Sequence, residues 1–117
     1  MVRGATGGQT MTLELGRHGV QAAVIKTYEA LGCVVVRIAQ SYRRGSRRQP
    51  GTPGVPDLYV FPPLHRPAFW HETKSDDGAQ RPAQITFEQR CRLRGVGYVL
   101  GGVPEAIAHL QTLGVTP

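Results

Sequence analysis

The sequence predicts an α/β domain in which a small mixed sheet is flanked by helices, in the order αβββαβα. Three observations predict it: segments with apolar residues at helical spacing, short β-branched or aromatic runs between them, and Gly or Pro at most junctions. At 117 residues, the chain is long enough for one such domain and too short for two ordinary ones.

Three helices are expected, over residues 18–31, 82–94 and 104–113. The first and last carry apolar residues at helical spacing, and the second and third begin with proline, which suits a first helical turn. A glycine directly follows each of the three segments, as is common at helix C-termini.

Four strands are expected between these helices. They cover residues 34–38, 58–61, 68–73 and 98–100, and the second and third are predicted to form a hairpin across a Pro-rich connection. Residues 1–15 show no sustained periodicity, so we expect a flexible leader followed by a single domain over residues 16–117.

The chain is basic, and its basicity comes from arginine. Fourteen basic residues face eight acidic ones, for a net charge of +6, and twelve of the fourteen are Arg. Residues 40–56, the arginine segment, contain no acid and are predicted to form a loop; their arginines are Arg43, Arg44, Arg47 and Arg48. Because the guanidinium pairs its donors with phosphate oxygens, we expect these residues, extended by Arg37, Arg66 and Arg81, to bind nucleic acid. A solvated loop without a ligand is the alternative interpretation.

Several other classes of protein are not supported by the sequence. No apolar run approaches the roughly 18 residues of a membrane span, so no membrane association is expected. Two cysteines, Cys33 and Cys91, do not form a disulfide framework, and the four histidines are too scattered for a zinc site. No phosphate-binding loop motif is present, so no nucleotide cofactor is expected.

Two short motifs surround the predicted hairpin. A Gly/Pro turn places Asp57 at the start of one strand, and Glu72-Thr73-Lys74 ends the next. In a strand, residues two apart project to the same face, so Glu72 and Lys74 project together. If the strands pair antiparallel, Asp57 lies next to Glu72 and Lys74 at one end of the sheet.

This arrangement predicts a divalent metal site. Two adjacent carboxylates repel each other, and Mg²⁺ or Mn²⁺ with oxygen ligands relieves that repulsion. The ligands would be Asp57, Glu72, the Thr73 carbonyl and water, with Lys74 orienting or deprotonating the water that attacks a phosphate. Taken singly, a Pro-Asp turn is usually a local cap and a Glu-x-Lys pair a solvated edge; their combination favours phosphodiester hydrolysis.

The order Gly54-Val55-Pro56-Asp57-Leu58, then Glu72-Thr73-Lys74, then Gln84 in the next helix resembles the PD-(D/E)XK nuclease superfamily. Within it, the sequence is most similar to the VRR-NUC branch, the virus-type replication-repair nucleases. The resemblance implies a restriction-endonuclease-like core. It also implies that Asp57 and Glu72 bind the metal with the Thr73 carbonyl, and that Lys74 is the catalytic lysine.

Gln84 is similar to the glutamine that this branch places near the active site from its second helix. Helical spacing puts Gln84 on one face with Phe87 and Cys91, which favours an inward amide. A solvent-facing residue in the first helical turn is the other interpretation, and the sequence leaves both open.

The chain departs from the branch at its first helix. The branch commonly has an acid at the helix start, whereas this chain has Arg17-His18-Gly19; Gln21 occupies the position about a turn later. Gln21 or His18 would then be a substitute metal ligand, with Glu14 upstream as a further candidate. One or two metal ions both remain compatible with the sequence.

The resemblance implies a Mg²⁺- or Mn²⁺-dependent DNA endonuclease acting on branched, junction or flap DNA, of the replication or repair type. We expect a homodimer, because two cuts in a symmetric junction require two sites. The expected location is the cytoplasm of a bacterial or phage-infected cell. A non-catalytic or weakly active nucleic-acid-binding module on the same fold is the alternative. An endonuclease that acts on RNA, or one of the restriction type, is a second alternative function.

Overall fold

The computed structural model describes residues 17–38, 51–75 and 78–117. The elements are α1 (Arg17–Ala30), β1 (Val34–Arg37), β2 (Leu58–Phe61), β3 (Phe69–Thr73), α2 (Pro82–Leu93), β4 (Gly97–Gly101) and α3 (Val103–Thr112). The predicted order αβββαβα is confirmed, and no element end differs from its predicted position by more than one residue. The predicted leader, residues 1–15, lies outside the described residues.

The four strands form one mixed sheet in the order β1-β2-β3-β4. The predicted hairpin is present: β2 pairs antiparallel with β3, with Leu58 opposite His71. β1 pairs antiparallel with β2, whereas β3 and β4 run parallel. A parallel pair needs a crossover connection, and α2 provides it.

The core lies between the sheet and the helices α1 and α3. Phe69 shows which face this is, because its ring contacts Tyr28 of α1 and His109 of α3. Its neighbour Trp70 projects to the opposite face and packs edge-on against Phe87 of α2. The main cluster of buried side chains contains Val24, Tyr28, Leu58, Val60, Phe69, Val99, Ala106 and Leu110. In the part of the chain that the structure describes, no helix combines the length and apolar character needed to cross a bilayer.

Arg66, which we expected to extend the nucleic-acid-binding surface, makes structural hydrogen bonds. Its guanidinium donates to the carbonyls of Pro63, Leu113 and Gly114 at 3.1, 2.6 and 3.3 Å. These bonds hold the end of the chain that follows α3 to the loop between β2 and β3. Linear sequence offered no signal for this, because the carbonyls it binds come mainly from a segment 47 or 48 residues away.

A histidine lies inside this core. His71 is fully buried; its Nε2 lies 2.9 Å from the Gly101 carbonyl, and its Nδ1 lies 2.5 Å from the Tyr28 hydroxyl. A carbonyl only accepts, so Nε2 carries the proton and the Tyr28 hydroxyl donates to Nδ1. Burial lowers the pKa of His71 to about 4, although the Gly101 carbonyl opposes the shift.

The lowered pKa of His71 makes the fold acid-sensitive. Between pH 6.5 and pH 4 the unfolded chain binds a proton that the folded protein does not, so stability falls as the pH falls through this window. We expect the free energy of unfolding to decrease by about 2 kcal/mol between pH 7 and pH 5, measured by urea denaturation with EDTA present. His65→Gln, at an exposed histidine, should keep this dependence. A flat profile would contradict a buried neutral His71.

Candidate active site

The site lies where β2 begins and β3 ends. Because Leu58 is opposite His71, one further step of the antiparallel register sets Asp57 opposite Glu72. Both carboxylates are buried, with exposed fractions of 5% for Asp57 and 1% for Glu72. Buried carboxylates are rare unless they are hydrogen-bonded, paired or bound to a metal. Two buried carboxylates at one end of the hairpin therefore identify this end of the sheet as the candidate functional site.

The turn that delivers Asp57 rests on the first turn of α2. Gly54 has a φ of 78°, a left-handed conformation that favours glycine. A side chain at Gly54 would overlap the backbone of Ala83 and Gln84. The turn before Asp57 is therefore in direct backbone contact with the helix that carries Gln84.

Asp57 is held by one residue of β3. Its Oδ2 accepts a hydrogen bond from the Thr73 backbone N–H at 3.2 Å and another from the Thr73 hydroxyl at 2.6 Å. From the sequence, only the Thr73 carbonyl was expected to contribute to the site. The sequence gives only an indirect signal for the hydrogen bond from the Thr73 hydroxyl to Asp57: Thr73 directly follows Glu72, the residue expected next to Asp57.

Gln84 connects Glu72 to the start of α2. Its Oε1 accepts a hydrogen bond from the Arg81 N–H at 2.8 Å, and its Nε2 donates to Glu72 Oε2 at 2.8 Å. The first bond caps the helix, and it leaves the amide NH₂ directed at the carboxylate. The inward orientation of Gln84, one of the two that the sequence left open, is the one observed.

Lys74 lies beside Glu72. Its ammonium is 3.8 Å from Glu72 Oε2 and donates to the Ala79 carbonyl at 3.1 Å. The side chain is only 14% exposed, so its position is set by the loop that precedes α2. The structure thus brings Asp57, Glu72, Thr73, Lys74 and Gln84 together.

Burial and the Glu72 carboxylate also affect Tyr98 of β4. They raise the pKa of the Tyr98 phenol to about 12, burial being the larger cause. The phenol is therefore protonated near neutral pH. Its oxygen accepts a hydrogen bond from Gln80 Nε2 at 3.4 Å, so it belongs to the polar lining next to Glu72. The sequence predicts Tyr98 to be part of a strand and carries no signal that its hydroxyl lies near the site.

Of the remaining predicted site residues, the structure describes the side chains of Gln21 and Arg81. Gln21 Oε1 accepts a hydrogen bond from Arg37 at 3.5 Å, and Arg81 is exposed at the start of α2. Arg43, Arg44, Arg47 and Arg48, with Glu14 and the His18 side chain, lie outside the described residues.

A metal at this site would rely on few protein ligands. Within residues 17–38, 51–75 and 78–117 there is no group of three or more His, Cys, Asp or Glu side chains arranged to hold an ion. Mg²⁺ commonly binds to one or two carboxylates and keeps several waters. The Asp57–Glu72 pair with a backbone carbonyl therefore fits Mg²⁺ or Mn²⁺, and does not fit a metal that requires a full set of protein ligands.

Comparison with known proteins supports the same fold. A solved structure described as a VRR_NUC domain superposes with a TM-score of 0.60 and 26% sequence identity, over 81% of this chain and 94% of that chain. No family model matches the sequence, and no curated protein matches it significantly. The resemblance inferred from the motifs is thus confirmed as a VRR-NUC fold, which relates the chain to a nuclease domain family.

The backbone contact at Gly54 can be tested by substitution. Gly54→Ala should lower the free energy of unfolding by about 2–3 kcal/mol, because it adds left-handed strain and an overlap with the first turn of α2. Gly51→Ala is the matched control, because nothing lies within 4 Å of the added carbon. Urea denaturation of both variants checks this, and equal stability of the two would contradict the described contact.

Proposed function

We propose that this chain, which has the VRR-NUC fold, is a divalent-metal-dependent nuclease that hydrolyses phosphodiester bonds in structured DNA. The observation that carries the proposal is the burial of Asp57 and Glu72 opposite each other at the end of the β2–β3 hairpin. Burying two carboxylates costs desolvation free energy, and the site offsets this cost with specific contacts: Glu72 contacts the Gln84 amide and Lys74, and Asp57 accepts from Thr73.

Asp57 and Glu72, with the Thr73 carbonyl, are the groups that would hold Mg²⁺ or Mn²⁺. When bound, such an ion neutralises charge on the phosphate and increases the acidity of a coordinated water. Both acids are buried in the folded hairpin, so little ordering is needed on binding. Gln21, which contacts Arg37, is proposed as a ligand only for a second ion.

Lys74 is the proposed catalytic lysine. Its contacts with Glu72 and the Ala79 carbonyl hold the ammonium beside the carboxylates. There it orients the attacking water and, as a cation, stabilises the negative charge that develops on the phosphate. Gln84 positions Glu72 through its amide NH₂ and is not required to contact the substrate.

The proposed substrate follows from the charge of the chain. The net charge of +6 favours binding to a polyanion. Exposed arginines also lie in the second half of α2 and directly after it: Arg90, Arg92 and Arg94. No base-recognition motif is visible in the sequence, so backbone shape, as in branched or flapped DNA, is the proposed determinant. The proposed contacts are Arg81 together with Arg43, Arg44, Arg47 and Arg48 of the arginine segment.

One observation favours a different function on the same fold. The first helix has no acid in its first turn, where related nucleases commonly have one. A non-catalytic or weakly active nucleic-acid-binding module would tolerate this loss. That alternative predicts binding that weakens steeply with salt, no cleavage with any divalent metal and no stabilisation by Mn²⁺.

Metal binding and cleavage together test the proposal. At a Mn²⁺ concentration about 100 times Kd, wild type should gain about 2.7 kcal/mol of stability, because the ion binds the folded state. Asp57→Asn should lose most of this gain. Lys74→Ala should keep the gain but nick a branched DNA substrate about 100-fold more slowly or worse. Thermal unfolding with and without Mn²⁺ and a gel-based nicking assay measure these effects.

The chain contains matched controls for both substitutions. Lys26 is the only other lysine and is exposed on α1, and Glu29 is an exposed acid on the same helix. Lys26→Ala and Glu29→Gln should behave as wild type. Equal nicking by wild type and Lys74→Ala would reject the role of Lys74, and binding without Mn²⁺ stabilisation or cleavage would favour the binding module.

We also propose that the active form is a homodimer associated through β1. This strand is at the edge of the sheet. On one face of the β1–β2 pair, Val34, Val36 and Phe61 are 61%, 38% and 43% exposed, and Val34 is paired directly with Phe61. An edge strand with an apolar face can extend its sheet onto a second copy.

The dimer is tested by its mass in solution. Sedimentation of wild type should give about twice the 12.7 kDa of one chain, because apolar burial and edge pairing favour association. The double variant Val34→Lys/Phe61→Lys should sediment as a monomer. Leu93→Lys, at an exposed leucine on α2, should not change the mass. A monomeric wild type at tens of micromolar would overturn the proposal.

A further inference from the structure

Thr73 lies between the two residues of the site that project together, Glu72 and Lys74, and it is fully buried. Its hydroxyl and its backbone N–H donate to the same oxygen of Asp57, Oδ2, at 2.6 and 3.2 Å. The hydroxyl bond is the shorter and has the length typical of a charge-assisted O–H···O⁻ hydrogen bond.

We infer that the Thr73 hydroxyl is a positioning group for the metal-binding carboxylate of Asp57. The inference rests on the proposed function. The terminal torsion of an aspartate is broad, so an unrestrained carboxylate samples many orientations. Two donors from one buried residue restrict the carboxylate plane and thereby the direction in which Asp57 presents itself to an ion.

The same residue connects both acids of the site. Thr73 follows Glu72 directly in β3, and Asp57 belongs to the turn before β2. Its two hydrogen bonds therefore tie the Asp57 carboxylate to the backbone of the strand that carries Glu72 and Lys74. Small displacements of the turn then move Asp57 with that strand, and the distance between the two acids is preserved.

The hairpin does not depend on this hydroxyl for its pairing. Three residue pairs, from Leu58–His71 to Val60–Phe69, join β2 to β3, and four of these six side chains, Leu58, Val60, Phe69 and His71, are buried. Loss of the hydroxyl should therefore affect the orientation of Asp57 more than the fold. Groups that orient metal ligands typically change metal affinity 10- to 100-fold when removed.

The experiment compares Thr73→Val with Thr73→Ser. Valine has nearly the same shape but no hydroxyl, and serine keeps the hydroxyl; both keep the backbone N–H bond. Calorimetric titration of Mn²⁺ into the metal-free proteins should give a Kd about tenfold weaker for Thr73→Val and within about twofold of wild type for Thr73→Ser. Nicking by Thr73→Val should recover toward the wild-type rate at saturating Mn²⁺.

Each outcome decides a different point. A role in folding alone would lower the melting temperature of metal-free Thr73→Val while its Mn²⁺ affinity stayed at the wild-type value, and this would overturn the inference. If Thr73→Val does not fold, Thr73→Ala removes the same hydroxyl with less steric demand in the core and carries the same expectation. Wild type that neither binds Mn²⁺ nor cleaves would overturn the proposed function and this inference with it.

Discussion

The antiparallel pairing of β2 with β3 is the constraint on which the candidate site depends. The register that sets Leu58 against His71 also sets Asp57 against Glu72. A shift of one residue would exchange the two faces of the strand, which would move His71 out of the core and Glu72 into it. The packing of Leu58, Val60 and Phe69 in the core therefore determines the geometry of the acids.

Polar burial is concentrated in this region. Among the described residues, the buried polar side chains are Asp57, His71, Glu72 and Thr73. Each makes a specific hydrogen bond: His71 with Tyr28, Asp57 with Thr73, and Glu72 with Gln84. Such bonds offset the loss of hydration, and they give each group a single orientation. A concentration of buried polar groups, each of which loses hydration on folding, is typical of a functional site.

The helices contribute to this region in different ways. α1 supplies Tyr28, which fixes His71 from the core side of the sheet. α2 supplies Gln84 from the other side, and its first turn is in contact with Gly54 of the turn before Asp57. The end of β3 that carries Glu72 is therefore flanked by helices on both faces of the sheet. The position of the Glu72 carboxylate depends on the docking of α2 as well as on strand pairing.

The order of elements, the hairpin and the proximity of Asp57 to the Glu72-Thr73-Lys74 motif are all encoded in the linear sequence. These features follow from local periodicity, from Gly and Pro at the junctions, and from the twofold alternation of strands. Each can be deduced without knowing how helices dock on the sheet.

Three contacts depend on tertiary packing: Gln84 faces inward to Glu72, the Thr73 hydroxyl holds Asp57, and Arg66 binds the carbonyls after α3. Each is a contact between residues 12 to 48 positions apart. Whether such groups meet depends on the docking of whole elements, and helical or strand periodicity does not specify that docking. Side-chain rotation adds further freedom, which is resolved only when the partner is in place.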